Sequence, residues 1–291
     1  MASEPAQSST TVEDGSLSAA DGTRLVYSLH RATKPRAAVL VAHGYADHRR
    51  RYRHFVTALL KAGISVLAYD MRGHGESGGR RGFIHAFDEY LDDLGLMVEF
   101  AREQMPSPLF LVAHSMGGLV ATLWFQNGER ELAGLVLSNP ALQVKMPVPG
   151  WKMTAARLLS RLLPAFSLPT GLPAELISRD AEEVRLYAED PLVFSNATSR
   201  WAVEFADAQE DCLRRPTDFR VAPALVLLGT GDGVIDSSIS RSFYDSVASQ
   251  DCQVRVRDGA YHELFNDQKP DRDEVLVELL AWLDEKIAAA T

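Results

Sequence analysis

The sequence predicts an α/β protein: a mostly parallel sheet of eight strands, helices on both faces, and a helical insertion after the sixth strand. Two observations carry this reading. Along most of the chain short apolar runs alternate with helical patterns, the signature of strand-helix-strand crossovers over a parallel sheet. Between residues 144 and 218 the alternation stops; prolines, a methionine and tryptophan cluster and amphipathic helical patterns take over, with no credible strand. At 291 residues and 46% hydrophobic the chain can bury a large core, as one α/β domain carrying an insertion.

In order along the chain, residues 1–12 are polar and are expected to form a disordered tail. Residues 16–31 read as a hairpin, with Asp21-Gly22 at the turn and Leu25, Tyr27 and Leu29 alternating after it. Strands are expected over 37–42, 65–69, 108–112 and 134–137, with helices over 52–62, 87–102 and from 115 onward. After the insertion the pattern resumes: strand 224–228, helix 238–249, strand 252–256 and a closing helix 273–286. The expected organisation is therefore a core of 13–143 and 219–291, with 144–218 as a cap. Within the cap, Trp151, Ala155, Leu158, Leu159, Leu162, Leu163 and Phe166 recur at helical spacing, with Lys152, Arg157, Ser160 and Arg161 opposite. The stripe suits packing on the core; the basic opposite face also suits a lid in peripheral contact with lipid.

Composition excludes several roles. A net charge of -9 opposes polyanion binding, so nucleic acid is not an expected partner, although His48-Arg49-Arg50-Arg51-Tyr52-Arg53 is a local basic cluster able to grip an anion. Two cysteines, Cys212 and Cys252, make no disulfide framework and no zinc-ligand spacing, and read as reduced and cytosolic. The first residues lack the charged and apolar regions of a signal peptide, and no apolar run approaches the ~18 residues that span a bilayer. No metal or organic cofactor is expected: no ligand cluster appears, and Gly73-His74-Gly75 lacks the spacing and position of a phosphate-cradling loop.

The residues that carry chemistry are three. Ala113-His114-Ser115-Met116-Gly117 lies between an apolar strand and a helix, the context of a nucleophile elbow in which small neighbours let strand and helix approach while a serine is lifted above the strand end. Ala113 replaces the usual first glycine. Ser115 is the candidate nucleophile, and a serine hydroxyl needs a base oriented by an acid. Of eight histidines only His262 follows Ser115, between the last strand and the last helix, which makes it the base by elimination. For the acid, Asp232 follows strand 224–228 in a glycine-flanked loop, whereas the competing Asp236 resembles the N-cap of the next helix. Acyl transfer also needs amide donors for a developing oxyanion; Met116 supplies one and Tyr45, in the loop after the third strand, the other.

In these residues the chain resembles the serine-hydrolase branch of the α/β-hydrolase superfamily that contains the monoacylglycerol lipases and lysophospholipases. The likeness spans nearly everything after Ser16 and rests on His43-Gly44, Arg51-Tyr52, Asp70 to Gly79, His114 to Gly118, Gly229 with Asp232, Ile177 to Asp180, Tyr187 to Leu192, and Gly259 to His262. It implies the α/β-hydrolase fold, a Ser115, Asp232, His262 triad, an oxyanion hole at Tyr45 and Met116, and a lid over an acyl channel. It further implies that Asp47, Arg51 and Tyr187 line the polar end where glycerol sits, Asp47 being a methylene shorter than the usual glutamate, and that Phe265 replaces a histidine that can help hold glycerol in these lipases. Leu159 and Leu162 are the expected apolar contacts of the acyl chain in the lid.

The expected activity is hydrolysis of single-chain lipid esters, monoacylglycerol first, by a cytoplasmic enzyme that touches membranes at most peripherally. A lysophospholipase, a general carboxylesterase or a peptidase of the proline-iminopeptidase kind would use the same triad, and a non-catalytic binding protein would use the same fold. Dehalogenase and epoxide hydrolase chemistry would need an acid where Ser115 stands.

Overall fold

Strands β1 (Thr11–Ser18) and β2 (Arg24–Arg31) form the antiparallel edge, joined by a turn at which the Thr23 amide donates to Asp21 Oδ1 (2.9 Å) and Gly22 takes a positive φ of 82°. The chain, seen in a computed structural model, is described over residues 11–128, 130–145, 150–220, 223–247 and 251–290. The expected tail, 1–12, is too long by two residues: Thr11 and Val12 pair with Arg31 and His30, so the ladder extends beyond the expected start of the hairpin. Residues 1–10 lie outside the described part.

The chain then alternates through β3 (Ala37–Ala42), α1 (Arg53–Lys61), β4 (Ile64–Tyr69), α2 (Asp88–Gln104), β5 (Leu109–His114), α3 (Met116–Gln126) and β6 (Gly134–Ser138). The cap follows, with α4 (Gly150–Leu162), β7 (Ser167–Pro169), α5 (Ala181–Glu189), β8 (Asn196–Thr198) and α6 (Ser199–Arg214). The core resumes with β9 (Ala224–Gly229), α7 (Ser237–Ser246), β10 (Cys252–Arg257) and α8 (Asp271–Ala290). The main sheet has eight strands in the order β1-β2-β4-β3-β5-β6-β9-β10, parallel from β4 to β10.

Strands β3, β4, β5, β6 and β9 are buried along their whole length, which is why they read as unbroken apolar runs. On one face Val39, Val41, Phe110 and Val112 meet Phe55 and Leu59 of α1 and Leu279 and Trp282 of α8. On the other Leu40, Leu67 and Leu111 meet Leu94 and Met97 of α2 and Leu119 and Phe125 of α3. The outer strand β10 is only partly covered and carries Arg255 and Arg257, both paired with Glu278 of α8. Charge on an edge strand discourages a further strand from pairing.

The insertion departs from the all-helical expectation. Three-residue strands β7 and β8 pair antiparallel, and Thr198 binds the carbonyl of Gly82 through both its amide (3.0 Å) and its hydroxyl (2.6 Å), tying the cap to the core. Such short strands leave no alternation to read. Helix α6 packs down on the core: Trp201, Ala208 and Cys212 join its hydrophobic cluster, Gln126 Nε2 of α3 donates to the carbonyls of Cys212 (3.0 Å) and Arg215 (2.7 Å), and Gln209 Nε2 donates to that of Ala141 (2.7 Å). Helix α4 lies on α6 through its polar side, where Ser160 is buried, its carbonyl accepts from Arg200, and Arg157 pairs with Asp207. Its apolar stripe is left facing solvent, with Trp151 72% and Leu162 68% exposed, so packing of this stripe on the core does not occur. Residues 146–149, at the entry to the cap, and 248–250, beyond the end of α7, lie outside the described part.

Candidate active site

The carboxyl ends of β5, β3 and β9 meet at Ser115. Its φ of 52° and ψ of -118° are a conformation that a side chain with a Cβ seldom adopts, held here by hydrogen bonds on both sides. The Ser115 amide donates to Ser138 (3.1 Å), and its carbonyl accepts from Leu119 (3.1 Å) and Ala141 (2.9 Å). The small residues after it are needed for space. A Cβ at Gly117 would lie 2.5 Å from the carbonyl oxygen of Ala42 and 2.6 Å from that of His43, and one at Gly118 would lie 2.7 Å from Pro140.

His262 stands between its two partners. Its Nε2 is 2.9 Å from Ser115 Oγ, and its Nδ1 is 2.7 Å from Asp232 Oδ2. Asp232 Oδ1 accepts from the amides of Val234 (2.7 Å) and Ile235 (3.0 Å). A carboxylate only accepts, so the proton sits on Nδ1 and Nε2 is free to take one from the serine hydroxyl. Burial alone would push the imidazole down, but the Asp232 charge and hydrogen bond, with smaller contributions from Glu263 and Asp47, hold it above the ordinary histidine value. Burial works against the Asp232 charge too, yet His262 and the two amides keep the carboxyl below the usual aspartate range. Asp236 instead caps α7, accepting from the amides of Ser238 (3.0 Å) and Ile239 (3.4 Å).

The loop 43–45 is locked beside the elbow. His43 is fully buried; its Nδ1 lies 2.7 Å from the Gly44 carbonyl, its Nε2 accepts from Met71 (2.9 Å), and its own carbonyl accepts from the Gly117 amide (3.1 Å). The amides of Tyr45 and Met116 donate to no acceptor among the described residues and remain available to an oxyanion. The Tyr45 side chain turns into the cap, donating to the Asn196 carbonyl (2.7 Å) with its ring centroid 3.8 Å from that of Trp201. His114 bonds the Ser138 carbonyl (3.0 Å) and sets its ring 4.7 Å from that of His262; burial, with His262 beside it, lowers it to about 4, so it stands neutral there.

Asp47, Arg51 and Tyr187 do come together, around a residue that sequence reasoning missed. Glu263, next to the candidate base, takes Arg51 in a two-pronged pair (Nη1 to Oε1 2.5 Å, Nη2 to Oε2 2.8 Å), while Arg51 Nη1 also reaches Asp47 Oδ1 (3.2 Å). The Tyr187 ring covers the guanidinium at 4.6 Å. Nothing local signals this pair, because its members lie 212 positions apart. Phe265 is buried and packs on Phe55 at 4.9 Å, so its ring belongs to the core. No interaction among the described residues links Leu159 or Leu162 to Ser115; Leu159 is half-buried on α4. No group of three or more His, Cys, Asp or Glu able to hold a metal occurs among the described residues.

Known proteins share this arrangement of elements. The family model Hydrolase_4 (serine aminopeptidase, S33) matches residues 33–269. A monoacylglycerol lipase of Mycolicibacterium smegmatis is 33% identical over 94% of this chain and 98% of its own length. The phospholipase YtpA of Bacillus subtilis is 29% identical over 88% of this chain and 98% of its own. The crystal structure of a Paleococcus ferrophilus monoacylglycerol lipase superposes with a TM-score of 0.81 at 30% identity, covering 90% of this chain and 99% of that one. The eight-stranded sheet with its elbow at the end of β5, and relatives matched over nearly their full lengths, place this chain in the Hydrolase_4 family of α/β-hydrolases.

Proposed function

We propose that the protein is a serine hydrolase of single-chain lipid esters, monoacylglycerol first, with Ser115, His262 and Asp232 as its triad. The observation that carries this is the continuous hydrogen-bonded line from Ser115 Oγ through His262 to Asp232. Ser115 Oγ attacks the ester carbonyl as His262 Nε2 takes its proton, and the oxyanion forms against the amides of Met116 and Tyr45. His262 returns that proton to the departing alcohol, leaving an acyl-enzyme. Water, deprotonated by the same nitrogen, then releases the fatty acid and Ser115. Asp232 holds the ring with Nε2 toward the serine and stabilises the imidazolium of each step. The relatives named monoacylglycerol lipase support the substrate, and Asp47, Arg51 and Tyr187 supply the polar end for glycerol.

The exposed stripe of α4, continued by Leu163 and Phe166 and flanked by Lys152 and Arg161, supports an enzyme that meets lipid peripherally through its cap. No helix among the described residues is long and apolar enough to cross a membrane. A fluorophosphonate probe is expected to label the wild type and not Ser115→Ala. In a panel of monoacylglycerols, lysophospholipids, short p-nitrophenyl esters and a proline anilide, a long-chain monoacylglycerol is expected to turn over best. Preference for a lysophospholipid or the anilide would reassign the substrate. Leu159→Asp or Leu162→Asp is expected to slow cleavage of a long-chain monoacylglycerol in vesicles by about 10-fold while leaving a four-carbon ester within roughly 2-fold. Equal losses on both would remove the stripe from any role in lipid entry.

A further inference from the structure

The arginines of the basic run that the sequence offers as an anion grip are each matched by a carboxylate of the protein itself. Arg49 pairs with Asp70 and Glu76, Arg50 with Glu76, Arg53 with Glu183, and His48 with Asp190 of the cap. Arg51, the member at the polar end of the site, is 5% exposed and lies between Asp47 and Glu263, themselves 4% and 6% exposed. Two carboxylates thus face one guanidinium, whose free face is covered by Tyr187. Glu263 is fixed there from three sides: its oxygens hold Arg51, Oε2 also accepts from Asn266 Nδ2 (3.0 Å), and its amide donates to the Ile177 carbonyl of the cap (2.7 Å).

We propose that Glu263 makes this end of the site reject anionic headgroups, so that the enzyme takes single-chain esters with uncharged polar heads and excludes those ending in a phosphate monoester. This rests on the ester-hydrolase reading above. A phosphate reaching for Arg51 would have to displace Glu263 and leave a buried carboxylate unpaired beside the incoming anion, a costly arrangement in a poorly solvated place. A hydroxyl both donates and accepts, and binds beside a carboxylate without adding charge. Arg51 is therefore a fixed counter-charge, outnumbered by the two carboxylates that hold it.

The test compares 1-oleoylglycerol with 1-oleoylglycerol 3-phosphate in the same nonionic micelles, reading the ratio of kcat/KM values. The wild type is expected to favour the uncharged ester strongly. Glu263→Gln, which keeps the shape and removes the charge, is expected to raise the phosphate-to-neutral ratio by about 10-fold or more. The surface change Glu278→Gln, on α8, is expected to leave it unmoved. Asp47→Asn removes the other carboxylate and is measured in its place if Glu263→Gln does not fold. A wild type that cleaves both esters equally, or a ratio that a folded Glu263→Gln (or Asp47→Asn measured in its place) leaves unmoved, overturns the inference alone. A wild type that cleaves neither ester overturns the ester-hydrolase reading and the inference with it.

Discussion

Asp232→Asn is expected to lower kcat/KM for a monoacylglycerol by roughly 10³ to 10⁴-fold with the fold intact. The amide presents an NH2 where His262 Nδ1 now finds an acceptor, so the ring is driven to the tautomer with its proton on Nε2, which cannot accept from Ser115. The pH profile carries a second signature. His262 works as a base only when neutral, and its value is held above the ordinary one chiefly against burial by Asp232, so wild-type activity should fall on the acid side at a pH above that of a free imidazole. Without the carboxylate, burial dominates and the acid limb of the residual activity should move to lower pH. Asp236→Ala removes the cap of α7 instead, and should cost about 1 kcal/mol of stability with activity within roughly 3-fold of wild type. An inactive Asp236→Ala beside an active Asp232→Asn would move the acid to Asp236; an acid limb that stays put would break the electrostatic argument.

The parts of this molecule legible in the sequence are those with local causes. An unbroken apolar run is a strand buried on both faces, and the small residues around Ser115 announce a place where backbones crowd, as the carbonyls of Ala42 and His43 against Gly117 bear out. The one histidine after Ser115 leaves little freedom in choosing a base. What escapes depends on partners remote in the chain. The Arg51 and Glu263 pair is invisible because nothing near either residue selects the other. The periodicity of α4 reveals that an apolar stripe exists and says nothing of what covers it; the structure turns Ser160 and Arg157 toward Arg200 and Asp207 of α6 and leaves the stripe outward. Strands β7 and β8 pair where Thr198 grips the carbonyl of Gly82, a contact between cap and core that three residues of sequence cannot express.

Gly117→Ala is expected to destabilise the protein by about 2 kcal/mol or more and to lower kcat by roughly 10² to 10³-fold, although alanine is the better helix former by up to about 1 kcal/mol. Gly117 lies in the first turn of α3, and the added methyl would meet two backbone oxygens, at 2.5 and 2.6 Å, that cannot swing aside as a flexible side chain would. Relief requires α3 to move from β3, which stretches the Gly117 amide's bond to the His43 carbonyl and shifts the loop that carries Tyr45, the proposed partner of Met116 in the oxyanion hole. If these two amides form the proposed oxyanion hole, displacing one of them weakens its hold on a tetrahedral oxyanion, so the loss should fall on kcat more than on KM. Gly95→Ala, in α2, is the control: its methyl would come no nearer than 3.4 Å to any other group, Trp124 Nε1, and should leave stability unchanged or raised by up to about 1 kcal/mol. Thermal unfolding and steady-state kinetics on both variants decide the matter. A Gly117→Ala protein as stable and as active as Gly95→Ala would mean that elbow and loop are not held by this close approach, and the two-amide oxyanion site would lose its structural basis.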